Sequence, residues 1–419
     1  VAANAALHGS RDPQPITGTI FRISTEKALT VTSFYTNTQR EPPPNTMLSR
    51  VSARAYSTAP VKLVSRDAAG SLSTLSAVVS NAGSKTGKAG AAHLLSKFGF
   101  LNTETKSALR LARESELLGG NFSSYVTRDA IILSAQFLKQ DLPYYVDALA
   151  SVLAKPLFRP HEFTETVLPV ARAETAAAEA SNSFVALEAL HALSFRKGLG
   201  QPLYYSDKQK VSFDDVTQFA AEAYTAGNVH LVALGVNEAD LAGFVAGSAF
   251  SELPAGSAKA PAVKTYTGVE SRIAASGPSY AAIAVPVALK DYAKYEVLSA
   301  AAGTSVLAGA ASPLSKIAGA DSRLYKYQDA GLFVVSVEGA DAAAVAEGIK
   351  AAKQAVSAIS LSDLTKATKA AQLSVALQDS FEFPHDNAVL ADSGKGAKLG
   401  AFNYVAVGNI DVLPYADEL

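Results

Sequence analysis

The feature that most restricts this chain is a gap in its apolar patterning. From Ser248 to Thr267 large apolar side chains are scarce, and Pro254, Gly256, Ser257 and Pro261 interrupt any regular run. Such a stretch reads as a linker between folded units. A length of 419 residues also exceeds what one core usually organises. Before the linker, Leu72–Val79 reads as a strand, and a Gly/Lys/Ser loop from Ser84 to Gly90 leads into a helix through His93. Ser107–Leu118 reads as a second helix, closed by Gly119-Gly120. Ser123–Tyr125 and Ala130–Phe137 read as paired strands. Pro143–Leu153 and Glu162–Ser194 read as helical, with Pro169 expected to kink or divide the second. A helix over Phe213–Tyr224, capped by Ser212, and a strand over Val229–Val236 complete this half. After the linker the outline recurs. Strands at Tyr280–Val287 and Leu332–Val337 lead to helices at Tyr292–Ala302 and Ala342–Ala358, followed by a helix over Asp363–Leu377 and a strand at Tyr404–Val407. The expected class is α+β, two similar halves of sheet and helix joined by a linker.

One segment carries the outline of a chemical site without its chemistry. His93-Leu94-Leu95-Ser96-Lys97 stands where an H-x-x-E-H zinc motif would read, and Glu174 stands where a third ligand would follow. A helix bearing that motif sets two imidazoles one turn apart with a glutamate base beside them. Here Ser96 replaces the base and Lys97 the second imidazole. A protonated ammonium cannot ligate Zn²⁺, and a hydroxyl cannot serve as base in place of a carboxylate. Lys97 either pairs with Glu174 across two helices or points to solvent. Restoring the pattern by Ser96→Glu and Lys97→His is expected to recover zinc affinity with little turnover.

The surroundings widen the match. Gly90-Ala91-Ala92-His93-Leu94-Leu95 is followed by Phe98, Leu101-Asn102-Thr103, Glu116-Leu117-Leu118-Gly119-Gly120 and Thr127-Arg128-Asp129. Lys155-Pro156-Leu157-Phe158 then ends one helix, and Glu165 to Glu174 leads to the distal carboxylate. This order resembles the pitrilysin-like metallopeptidase family, most strongly from Gly87 to Glu188, and its non-catalytic branch in particular. The resemblance implies two pitrilysin-like halves in a clamshell, no working metal site and no catalytic residue, with His93, Ser96, Lys97 and Glu174 as relic positions. It implies a structural subunit of respiratory complex III on the matrix side of the mitochondrial inner membrane. A homologous core protein, cytochrome b, cytochrome c1 and the iron–sulfur protein would be its partners. The rival within the family is the regulatory subunit of the mitochondrial processing peptidase. That subunit carries a dense glycine loop, whereas Ala300–Pro313 holds only Gly303 and Gly309 here. Ser123 stands near a position where active relatives usually have Asn, which weakens peptide recognition. Tyr327-x-Asp329-x-Gly331-Leu332-Phe333 resembles a segment that opens a central strand in such subunits. Read alone, it is a turn before a buried strand.

Composition closes other routes. There is no cysteine, so disulfides, thiolate metal sites and cysteine nucleophiles are excluded. A formal net charge of −1 gives no case for nucleic acid. His8, His161, His191, His230 and His385 are scattered and form no second ligand pair, no phosphate-binding loop appears, and no cofactor is expected. Apolar runs break well short of the ~20 residues that span a bilayer, so membrane association is expected through partners only. Met47-Leu48-Ser49-Arg50-Val51-Ser52-Ala53-Arg54-Ala55-Tyr56-Ser57 is basic and free of acidic residues, as mitochondrial targeting segments are. Residues 1–56 are therefore expected outside the mature fold, with 57–247 as the first domain, 248–267 as linker and 268–419 as the second domain.

Overall fold

The apolar runs become strands of two sheets in the computed structural model, which describes residues 61–257, 262–307, 311–359, 364–377 and 399–419. The targeting segment expected at 1–56, together with Gly309 and His385, lies outside the described residues. The first sheet contains β1 (Lys62–Arg66), β2 (Leu72–Ser80), β3 (Asn121–Val126), β4 (Ala130–Leu138) and β5 (Val229–Leu234). Its order is β1-β5-β2-β4-β3. Only the β1–β5 pairing is parallel, with Leu63 opposite Leu231. The second contains β6 (Glu270–Ala274), β7 (Ser279–Ala288), β8 (Ala320–Lys326), β9 (Ala330–Gly339) and β10 (Asn403–Gly408). Its order, β6-β10-β7-β9-β8, with β6–β10 parallel, repeats the first strand for strand.

Strand alternation gives each sheet two faces. Leu75, Ala77, Val79, Ile131, Leu133 and Phe137 point from the first sheet into its main core. The helices of this half are α1 (Ala91–Lys97), α2 (Ala108–Leu117), α3 (Leu142–Ala154), α4 (Pro160–Glu162), α5 (Leu168–Glu179), α6 (Asn182–Phe195), α7 (Phe213–Ala223) and α8 (Glu238–Ala246), and all but α4 and α6 contribute apolar side chains to that core. In the second half, α9 (Tyr292–Ala302) and α10 (Ala342–Ser357) lie on the face formed by Ala281, Ile283, Phe333, Val335, Val337 and Ala406, and α11 (Leu364–Leu377) packs on α9 through Ala371 against Val297. The opposite face, with Ala282, Ala284, Leu332, Val334, Val405 and Val407, is covered by α6 from the first half through Ala186, Leu190 and Phe195. Leu190 and Phe195 each contribute roughly 1.5–3 kcal/mol by leaving water. Both ends of α6 are tied to the second half. Asn182 Nδ2 donates to the carbonyls of Ser276 (3.0 Å) and Pro278 (2.7 Å), and Ser194 Oγ accepts from Asn403 Nδ2 (2.9 Å).

The long helix expected over Glu162–Ser194 is divided, though not by Pro169. A π turn over Phe163–Val167 runs into α5 through helical Val167 (φ −64°, ψ −51°), so the helix continues through Pro169, which follows directly on the wider turn. The break falls at Ser181, whose backbone is extended at φ −96° and ψ 117°. Serine there opens α6, which lets the new helix change direction and reach the second sheet. Sequence reading did not single out β6, β8 or α8. Asn237 caps α8 by accepting from the amides of Ala239 and Asp240. Strand β8, Ala-Asp-Ser-Arg-Leu-Tyr-Lys, is a polar edge strand with little apolar signal.

Candidate functional site

Helix α1 starts at Gly90, whose φ of 85° suits glycine, and it buries all but its last residue. Its His93 is fully buried, with its ring centroid 4.7 Å from that of Tyr204. The backbone amide of Tyr205 donates to Nδ1 of His93 at 3.0 Å. That nitrogen therefore carries the lone pair, and the proton of the neutral ring sits on Nε2. Nε2 donates it to Oε2 of Glu174, on α5, at 2.8 Å. Lys97 Nζ reaches the same Oε2 at 2.5 Å. Lys97 and Glu174 thus form the inter-helix pair that the sequence left open, but the pair is half-open to water, with 12% and 34% of the two side chains exposed. Burial pushes the pKa of His93 below its ordinary value, against the opposing pull of Glu174. The His93 hydrogen bond, then that of Lys97, holds Glu174 down at about 2. The histidine is neutral and the carboxylate ionised.

Ser96 is fully buried, and its hydroxyl donates to the carbonyl of His93 at 2.7 Å. It is committed to its own helix. Ser124, on β3, donates to the carbonyl of Ser96 at 2.6 Å, so this turn is tied to the strand below.

A zinc ion, implied by the motif's outline, does not fit these residues. The nitrogen that would ligate it presents a proton, the carboxylate is already taken by an ammonium, and Lys97 fills the second imidazole's place. Among the described residues, no three His, Cys, Asp or Glu gather as a metal-binding group. Two features oppose the recovery of zinc expected from Ser96→Glu and Lys97→His. A glutamate at position 96 has no solvent-facing space, and the Tyr205 amide fixes the wrong tautomer at His93. Neither obstacle is visible in a five-residue motif, since Tyr205 is remote in sequence.

Other expected features find definite places. Gly119, with φ 70°, answers a turn requirement, whereas Gly120 answers a packing one, since a Cβ there would collide with the Tyr145 hydroxyl. Ser123 lies exposed on β3, the edge strand. Among the remaining histidines in the described residues, His161 is exposed and His191 is buried against the Tyr327 hydroxyl at 2.7 Å. His230 lies on β5.

The profile of the family described as "Insulinase (Peptidase family M16)" matches residues 62–207, and that of the "Peptidase M16 inactive domain" matches 210–368. The chain belongs to the M16 peptidase family. Within it, the chain is 61% identical to the mitochondrial cytochrome b-c1 complex subunit 2 of Debaryomyces hansenii. That match covers 89% of this chain and all of the relative. The protein of the same name from Saccharomyces cerevisiae is 44% identical over 84% of this chain and 94% of its own length. The alpha subunit of the mitochondrial-processing peptidase of Solanum tuberosum is 31% identical, over 39% of this chain and 33% of its own length. A solved M16 inactive domain from Pseudomonas fluorescens shares the fold, with a TM-score of 0.69 at 18% identity, over 87% of this chain and all of that one. The chain is a non-catalytic M16 member, α+β in class, with the two sheet-and-helix halves of its family.

Proposed function

We propose that this chain is a structural subunit of the mitochondrial cytochrome b-c1 complex, supporting its assembly and stability while electrons pass from ubiquinol to cytochrome c. One observation carries the reading: a relative matched along its whole length at 61% identity is named as a subunit of that complex. The site geometry supports it, because a protonated Nε2 and a lysine-bound Glu174 leave no nucleophile, base or open ligand. At finer grain, we assign it to the matrix face of the inner membrane, beside a homologous core protein, with cytochrome b, cytochrome c1 and the iron–sulfur protein as further partners. Among the described residues no helix is long and apolar enough to cross a membrane, which fits attachment through such partners.

The partial match to a processing-peptidase alpha subunit motivates a second reading, a regulatory role in presequence cleavage. Purification of the tagged chain from gently solubilised mitochondria separates the two. The first reading expects the haem b and c1 absorption bands to travel with the chain. A soluble heterodimer that cleaves presequences and carries no haem would overturn it.

A further inference from the structure

A buried lysine joins the two halves at one point. After β2 the chain turns through Gly83-Ser84-Lys85 onto the β3–β4 hairpin. The amides of Ser84 and Lys85 donate to the carbonyls of Thr127 and Arg128, each at 3.0 Å. A Cβ on Gly83 would overlap the backbone of Arg128, so the loop lies directly on the hairpin turn. From there the Lys85 side chain, 1% exposed, reaches Asp129 Oδ1 at 2.6 Å in its own half. It also reaches Asp329 Oδ2 at 2.8 Å and Gln328 Oε1 at 3.2 Å in the other half. The ammonium donates to Gln328 and Asp329 and lies in close ion-pair contact with Asp129.

The two aspartates are counterparts. Arg128-Asp129-Ala130 turns from β3 into β4, and Gln328-Asp329-Ala330 turns from β8 into β9, at matching places in sheets of matching order. The turns touch, since the Gln328 amide donates to Asp129 Oδ2 at 3.0 Å. Two carboxylates of like sign thus meet where the halves meet, and one has only 4% of its side chain exposed. Arg128 cannot serve both. Its guanidinium turns away to Glu188 and to the carbonyls of Leu199 and Gln201. Lys85 is the cation that faces both aspartates.

We propose that Lys85 is an electrostatic latch that fixes the relative orientation of the two halves. At this contact the charge attraction comes from Lys85 holding Asp329, beside the Gln328 amide on Asp129, and without it the two hairpin turns are left with facing negative charges. The halves then part at this contact, with the packing of α6 on the second sheet left in place.

The absence of native cysteine permits a direct test on the full chain. Spin labels at Glu116→Cys on α2 and Glu347→Cys on α10 report the distance between halves by pulsed dipolar spectroscopy. The parent is expected to give one narrow distribution, and Lys85→Met a broader one extending to longer distances. Asp329→Asn, at a position one-third exposed, is expected to broaden it in the same direction and decides the matter if Lys85→Met does not fold. Val245→Ala, a cavity inside the first half, should lower the melting temperature yet leave the distribution narrow. A narrow distribution in the latch variants, or equal broadening in Val245→Ala, overturns the proposal.

Discussion

Glu174 accepts from two donors of different kinds, a neutral imidazole and an ammonium, through one oxygen. Exposed ion pairs couple by less than about 1 kcal/mol, whereas breaking a buried one costs roughly 3–5 kcal/mol. With Lys97 mostly buried and Glu174 one-third exposed, a double-mutant cycle across Lys97→Met and Glu174→Leu is expected to give a coupling of roughly 1–2 kcal/mol by urea unfolding. Additive effects would mean that the pair contributes nothing jointly. The same residues set an acid dependence. Burial lowers the His93 pKa on folding, so the unfolded chain binds its proton first and stability declines as pH falls through the ordinary histidine value near 6.5. Glu174 goes from 4.5 to about 2, so its contribution is complete above 4.5 and is lost as pH falls toward 2. Glu174→Gln should flatten the lower window while the histidine-linked decline persists, as unfolding at a series of pH values would read. Paired Ser96→Glu and Lys97→His substitutions should destabilise the protein and leave it without stoichiometric zinc in titration calorimetry. Tight binding there would mean that the Tyr205 amide had moved off Nδ1.

Helix α6 shows where reading from sequence stops. Its apolar residues run around the helix, with Val185, Ala186, Leu187, Leu190, Leu193 and Phe195 all in contact with protein, so no single stripe announces a partner. It was legible as helix but not as the element that leaves its own half. Leu190→Ala, at a fully buried position facing the second sheet, is expected to cost about 2–5 kcal/mol by denaturant melting. A cost below about 1 kcal/mol would show that this face closes without it. Strongly patterned segments such as β4, β9 and α10 were readable because local apolar periodicity alone makes them. The polar edge strand β8 and short β6 were not, since tertiary pairing supplies most of what holds them. In the site, His93, Ser96, Lys97 and Glu174 were legible by spacing. The Tyr205 amide and the Lys85 contact were not, because backbone donors leave no mark in a motif and Lys85 meets Asp329 at a separation of 244 residues.

For the whole molecule, the duplicated outline was visible as a linker between two similar patterns, and matching strand orders bear out two such halves. If residues 1–56 serve only to direct the chain, the native protein should begin near Ser57, three residues after Arg54. Intact-mass measurement of the purified complex subunit reads this directly, and peptides from residues 1–46 in that material would refute it. The two parallel pairings have a kinetic meaning. In each half the strand that arrives first, β1 or β6, is hydrogen-bonded by the strand that arrives last, β5 or β10. Made from the amino end, neither sheet can finish in the order it is written. An early strand waits with its ladder open until the whole half has emerged, so closure is a long-loop event and slow for the chain's size. During that interval the unpaired edges are the part of the molecule that needs shelter from other chains.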